Sequence, residues 1–287
     1  MRLYNGDKIG IIACSNPLEE DSREEIEALL LILKELDLEP IITPYLYISQ
    51  APILHRGKLS GEILMSFYRD PEIKAIFDIS GGNIANEILD YLDYDIIKQN
   101  PKILFGYSDL TSVLNGIYSK TKQPNVLFQL KNIYRDGVIK NRFFHSFCQG
   151  TKELYDFSYE FIQGNTMEGI VIGGNIRCFL KLAGTPYLPE VTDKILLLES
   201  RNGEVPVIIS FLNQLKQMGV FDKIKGIILG TFTEMDRKKL KPDITELVTQ
   251  ILGNTQMPIV RTKDIGHSSN SAAIGIGEYI KLKKIYK

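Results

Sequence analysis

The sequence predicts a two-part α/β protein, each part a parallel sheet covered by helices. Three observations carry this. The first half alternates short apolar runs with helical patterns, and the second half repeats the alternation. Between about Asp136 and Thr166 the rhythm lapses into a polar and aromatic mixture, "DGVIKNRFFHSFCQGTKELYDFSYEFIQGNT". Alternation of this kind is the signature of strands joined by covering helices, and the lapse reads as a domain connection, giving parts at 1–150 and 165–287. With 287 residues, 44% of them hydrophobic, the chain can bury a substantial core.

In the first half the order is "KIGIIAC", a helix from Ser22, "PIIT", a helix near Ile63, "KAIFDIS", a helix near Ile84, then "KILFGYS" and a last helix. Ser22 and Glu25 have capping-box spacing, and Ile26, Leu29, Leu30, Leu33 and Leu36 form one buried stripe. The last helix places Leu110, Val113, Leu114 and Ile117 on one apolar face. In the second half "EGIVIGG" leads to a helix from Asn175, "KILLLES" to one after Pro206, and "IKGIILG" to one from Asp243, before "MPIV". Pro206 suits a first helical turn, where its missing N–H costs nothing, and Ile208, Phe211, Leu212, Leu215 and Met218 give the apolar face. Asp243 and Glu246 repeat the capping-box spacing.

Composition removes several function classes. Lys plus Arg total 34 against 35 for Asp plus Glu, so no nucleic-acid surface is expected, and the basic tail "KLKKIYK" reads as a solvated terminus. Polar residues occupy the N-terminal stretch where a signal peptide would be apolar, and the longest apolar run, 28–33, is far too short to span a bilayer. A cytoplasmic location is expected, with no membrane partner. Cys14, Cys148 and Cys178 are widely spaced, as are His55, His145 and His267, so no metal-ligand spacing exists and the cysteines read as reduced, buried fillers. Neither a dinucleotide fingerprint nor a Walker loop occurs, and no cofactor is expected.

Chemistry concentrates in three stretches. Ser108 in "KILFGYSDLTSV" sits where a strand becomes a helix. There it is either an N-cap, the simpler reading on this stretch alone, or a nucleophile facing unpaired N–H groups. A nucleophile needs a base, an orienting acid and oxyanion donors. His267 lies in the Gly/Ser/Asn-rich loop "DIGHSSNSAAIG", whereas His55 and His145 read as structural. Glu199 is the first charge at the end of the apolar run "KILLLES", a position where a carboxylate needs a partner or simply marks the strand's exit. In "DISGGNIANEIL", Gly81 and Gly82 allow a tight turn that aims backbone N–H groups at an oxygen, with Asn83 beside them. Gly82 and the N–H of Asp109, which follows the nucleophile, are the candidate oxyanion donors, and Gly81 and Asn83 candidate substrate contacts.

Together, "IGIIACSNP", "ISGGNIANEILDYLDYDIIKQNPKILFGYSDLTSV", "EGIVIGGNIRCFLKLAGTPYLPEVTDKILLLES", "GIILGTF" and "DIGHSSNSAAIGIG" resemble the LD-carboxypeptidase family of serine peptidases, in particular its microcin C immunity branch. The resemblance runs nearly the whole chain. It implies a Rossmann-like N-terminal domain bearing the nucleophile and a second, partly barrel-like α/β domain bearing acid and base, with the site between them. The family's nucleophile, acid and base fall on Ser108, Glu199 and His267. Their chain order is that of α/β-hydrolases, but "GYSDL" lacks the second glycine of Gly-x-Ser-x-Gly, and an amidotransferase would want cysteine at 108.

The resemblance further implies cleavage of a peptide-type amide near a free carboxyl terminus, on murein-type peptides, and a homodimer. Its alternative is a microcin C-type immunity peptidase acting on aminoacyl-nucleotide amides, for which Tyr134 is a candidate base platform, although a packed tyrosine is the simpler reading of that residue. A non-catalytic binding protein is a third possibility, disfavoured by the intact Ser, Glu and His set. Where many relatives carry a His-Gly-Pro turn this chain reads "NVLFQLKNIYRDG", and "SSNSAAIGIG" stands where a proline-containing turn is usual. Both segments shape the family's substrate pocket. The murein or peptidyl-nucleotide substrate would meet an Arg or Lys that the sequence leaves unassigned.

Overall fold

The computed structural model describes residues 2–50, 54–253 and 256–284. In its first half, β1 (Lys8–Ile12), β2 (Glu39–Ile42), β3 (Ile73–Asp78), β4 (Ile103–Gly106) and β5 (Asn125–Leu127) lie parallel in the order β5-β4-β3-β1-β2. Such a sheet needs helical crossovers. The described crossover helices are α1 (Arg23–Glu35), α2 (Arg56–Arg69), α3 (Tyr94–Gln99) and α4 (Thr111–Thr121), followed by α5 (Asn132–Arg135) and α6 (Gly137–Phe147). Ile26, Leu29 and Leu33 of α1 and Phe143 and Phe147 of α6 pack with Phe77 and Phe105 on one face.

The second sheet is mixed and curls into a half-barrel. It contains β6 (Glu160–Gln163), β7 (Thr166–Asn175), β8 (Lys194–Ser200), β9 (Gly226–Phe232) and β10 (Ile259–Arg261). Its helices are α7 (Ile176–Leu180), α8 (Val205–Gln217), α9 (Thr233–Lys238) and α10 (Ile244–Leu252). Strands β7 to β10 are mutually parallel, while β6 and the terminal β12 (Tyr279–Lys283) close the edges antiparallel. Between β10 and β12 the chain returns to the first sheet, where β11 (Ile274–Ile276) pairs antiparallel with β5. The remaining face of the first sheet shares one apolar core with the second: Leu64, Leu104 and Leu114 belong to the same cluster as Val171, Leu197 and Ile228. Asn115 of α4 locks the two parts together, its amide bonding both the N–H and the C=O of Gly173 at 2.9 Å.

Several local readings change. Ser22 caps no helix: a 3-10 turn, Glu20–Ser22, runs into α1, so Ser22 is already helical and its hydroxyl donates back to the Glu19 carbonyl, while Glu25 pairs with Arg135. The helix near Ile84 is a 3-10 helix, Ala85–Tyr91. Part of the stretch read as lacking strand–helix rhythm is α6, capped by Asp136, whose Ile139, Phe143 and Phe147 recur every fourth residue to bury one stripe. Pro206 opens α8, and Asp243 and Glu246 form the capping box of α10. On α8, Ile208, Leu212 and Leu215 are buried, but Phe211 is not fully so. His145 is half-exposed, bonds Glu153 at 2.8 Å and lies beside the Phe144 ring, and His55 is exposed. Cys14 and Cys178 are buried free thiols, and Cys148 is a partly buried one. Among the described residues no helix is long and apolar enough to cross a membrane. Of the basic tail, 285–287 lie outside the described residues; Lys281 pairs with Glu168.

Candidate active site

Ser108 follows β4 through the extended Tyr107 and opens a one-turn 3-10 helix, Ser108–Leu110, that leads into α4. Its φ is +54°, a left-handed conformation that costs a non-glycine residue about 1–2 kcal/mol and throws the side chain out of the turn. The hydroxyl caps no helix. It faces His267, whose Nε2 lies 3.0 Å from Ser108 Oγ.

The imidazole is held from its other side. His267 Nδ1 lies 2.7 Å from Glu199 Oε2, and the Glu199 side chain is fully buried. Glu199 is the penultimate residue of β8, opposite Asn175 of β7, at a register shift in the pairing with β9. Such irregularities re-aim a side chain. A carboxylate here favours the tautomer with hydrogen on Nδ1 and leaves Nε2 free to accept. The Tyr107 ring packs against the imidazole at 4.6 Å between centroids. Burial, with the nearby Glu199 charge, pushes the Tyr107 phenol well above its ordinary range.

The loop carrying His267 is braced rather than free. Gly266 passes so close to β9 that a Cβ would lie 1.7 Å from Thr231 Oγ1, at a φ of +148°, so only glycine fits before the histidine. The Thr231 N–H donates to the Ile265 carbonyl and the Ala272 N–H to that of Asp264.

Ser108 opens on a cleft of about 520 Å³. Gly82 and Asn83 line it from the first half; Asn175, Arg177, Arg201 and Phe211 are among its residues from the second. Gly82 has a φ of +142° and lies against Asn16, whose Oδ1 would be 2.1 Å from a Cβ and accepts the Asn83 N–H at 3.0 Å. Gly81 and Asp109 are not among the lining residues. Asp109 is fully buried, and its carboxylate accepts from Ser15 Oγ at 2.7 Å, the Ala85 N–H at 2.8 Å, Cys178 Sγ and Lys181 Nζ. Arg177 donates to Asn83 Oδ1 at 2.7 Å and to the Gly82 carbonyl at 3.0 Å. The Arg201 carbonyl accepts the Glu234 N–H at 3.1 Å, while its guanidinium has no hydrogen-bond or ion-pair partner among the described residues. The lining holds two arginines and no carboxylate, a field that favours an anionic ligand. Tyr134 is exposed on α5 and is not part of it.

Reading the sequence missed Asn175, Arg177, Arg201 and Phe211. Phe211 fell on a helical apolar stripe, and the arginines had no local mark among the chain's 34 basic residues.

Fold and geometry define a two-domain α/β protein with a serine, a histidine and a glutamate in hydrogen-bonded series where the halves meet. The chain belongs to the LD-carboxypeptidase family: the profile of its N-terminal domain matches residues 9–127 and that of its C-terminal domain residues 168–282. The microcin C7 self-immunity protein MccF of Escherichia coli is 29% identical over 276 residues, covering 77% of this chain and 78% of that protein. A Bacillus subtilis protein named "Probable murein peptide carboxypeptidase" is 28% identical over 295 residues, covering 96% and 88%. A solved structure of MccF in complex with aspartyl sulfamoyl adenosine superposes with a TM-score of 0.86 at 23% identity, covering 98% of this chain and 94% of that one.

Proposed function

We propose that this protein is a serine peptidase that cleaves a peptide-type amide next to a free carboxyl terminus, on murein-type peptides. The observation that carries the reading is His267 standing between Ser108 and Glu199 with one ring nitrogen on each. Ser108 Oγ attacks the scissile carbonyl carbon while His267 Nε2 takes the hydroxyl proton, and Glu199 stabilises the imidazolium that results. The N–H groups of Gly82 and Asp109 receive the oxyanion. Collapse of the tetrahedral intermediate passes the proton from His267 to the leaving amine. Water, deprotonated by the same nitrogen, then hydrolyses the ester and frees Ser108. Residues 1–150 supply the nucleophile and 165–287 the acid and base.

Arg201 is the cation that meets the substrate carboxylate, because Arg177 already serves Asn83 and Gly82. A charge-assisted bond of this type is worth about 1.5–3 kcal/mol, so amidating the substrate terminus should lower kcat/KM by roughly 10- to 100-fold. The same loss is expected in R201A with the free acid and not with the amide. Equal turnover of matched free-acid and amide tetrapeptides overturns the carboxypeptidase reading.

One observation favours a second substrate class, aminoacyl-nucleotide amides of the kind bound by MccF. Phe211 places an aromatic ring on the cleft wall, where a nucleobase can stack. Aspartyl sulfamoyl adenosine, assayed beside the peptides, decides: efficient turnover of it alone assigns the protein to that class.

A further inference from the structure

We infer that Lys181, the C-cap residue of α7, is a positioning residue that holds both oxyanion donors from behind, helped by Arg177 of the same helix at the cleft wall. The inference rests on the reading of Ser108 as nucleophile. It starts from the fully buried Asp109 carboxylate, whose own N–H is one of the donors. Buried charge is tolerated only when paired and fully hydrogen-bonded. Ser15 and Ala85 satisfy Oδ2 from the first half of the chain, and Cys178 and Lys181 satisfy Oδ1 from the second. Lys181 supplies the full positive charge in hydrogen-bond contact; the Arg177 guanidinium stands 4.0 Å away.

The same two cations grip the other donor turn. Lys181 Nζ also donates to the Asn83 carbonyl at 2.7 Å, and Arg177 donates to the Gly82 carbonyl and the Asn83 side chain. Both peptide segments that carry donors are thus tied to one short helix of the opposite half and the residue that caps it. The orientation of an oxyanion donor is where catalytic advantage is made or lost, since removing one costs about 10²- to 10³-fold. Lys181 is not among the residues lining the cleft, so it fixes geometry without touching substrate.

The test is K181M, with K181R as the conservative rescue. In K181M, kcat should fall by roughly 10- to 100-fold with KM within about twofold, since the donors are misplaced rather than removed. In K181R, kcat should return to within about fivefold of wild type. Independently of turnover, backbone amide exchange at Asn83 and Ala85 should accelerate at least about tenfold in K181M and stay near wild type in K181R. If K181M misfolds because Asp109 is left uncompensated, the double variant K181M/D109N removes both charges and should fold with kcat still depressed. Wild-type turnover that survives in S108A would sink the nucleophile assignment alone. K181M, or the double variant in its place, with kcat within twofold of wild type and unchanged exchange at Asn83 and Ala85 overturns the positioning role.

Discussion

Glu199→Gln is the substitution that isolates the role proposed for Glu199, because it changes one atom in a side chain that is fully buried and leaves its volume intact. In the structure the carboxylate stands 2.7 Å from His267 Nδ1 and so requires hydrogen on that nitrogen. A glutamine can turn its NH2 toward the ring. Nδ1 then becomes the acceptor, the ring hydrogen moves to Nε2, and Nε2, 3.0 Å from Ser108 Oγ, can no longer receive the hydroxyl proton. If the amide oxygen faces the ring instead, the tautomer is kept but the charge opposite the imidazolium is lost. The comparable Asp-to-Asn change in a serine protease lowers kcat about 10⁴-fold, or about 5 kcal/mol at the transition state, and a loss of that order is expected here. Glu199→Asp retains charge but withdraws it by about one C–C bond, roughly 1.5 Å, which breaks contact with the imidazole, so an intermediate loss of about 10²-fold is expected. The assay is kcat/KM on whichever substrate the wild type turns over, with far-UV circular dichroism to show that each variant is folded. An E199Q enzyme within tenfold of wild type, alongside an inactive S108A, would refute the argument.

Ser108→Ala should lose about 10⁴-fold or more in kcat yet retain its fold, whereas Ser108→Gly, equally inactive, should resist urea better than S108A by about 1 kcal/mol because glycine relieves the +54° φ; equal stabilities would show that the turn stores no strain. Burial raises the phenols of Tyr68, Tyr94, Tyr107 and Tyr155 above 10 in the folded protein. The unfolded chain therefore releases these protons first, and stability should be intact below pH 10 and fall as pH rises beyond it, by about 1.4 kcal/mol per pH unit for each such tyrosine. Absorbance titration at alkaline pH checks it: all 14 tyrosines ionising together near pH 10 in folded protein would contradict it.

What could be read from the sequence were features whose cause is local. Ser108 at a strand-to-helix turn, Glu199 as the first charge after an apolar run and His267 in a glycine-rich loop each carry their own mark, and the structure brings the three side chains together. The Asp243 capping box closes within four residues and forms as spaced. Ser22 has the same spacing without the cap, because the preceding 3-10 turn has already committed it to helical geometry. Features set by long-range contacts left no such mark. The Asp109 carboxylate finds its partners at Ser15, Ala85, Cys178 and Lys181, far away in the chain, so nothing in "GYSDL" announces a buried hub. Phe211 has the spacing of a core residue and becomes cleft wall because α8 runs along the rim of the site.

The return of β11 to the first sheet explains how His267 and Ser108, the proposed base and nucleophile, are held to hydrogen-bond distance although they belong to separate sheets. His267 lies between β10, paired with β9 in the second sheet, and β11, paired with β5 in the first. Its loop is therefore tethered at both ends, one end to the sheet that supplies Glu199 and the other to the sheet that leads into Ser108. Had the chain continued from β10 directly to β12, the loop would be fixed to the sheet bearing Glu199 alone, and the Ser108–His267 contact would depend on side-chain packing across the junction. With β11 in place, a shift of one half against the other must break strand pairing or stretch the loop, whose Gly266 is already wedged against Thr231. Local flexibility at the site is thereby coupled to the stability of the whole molecule, which is the condition the proposed mechanism needs: a base pre-positioned beside Ser108 before substrate arrives, so that little of the barrier is spent on bringing them together.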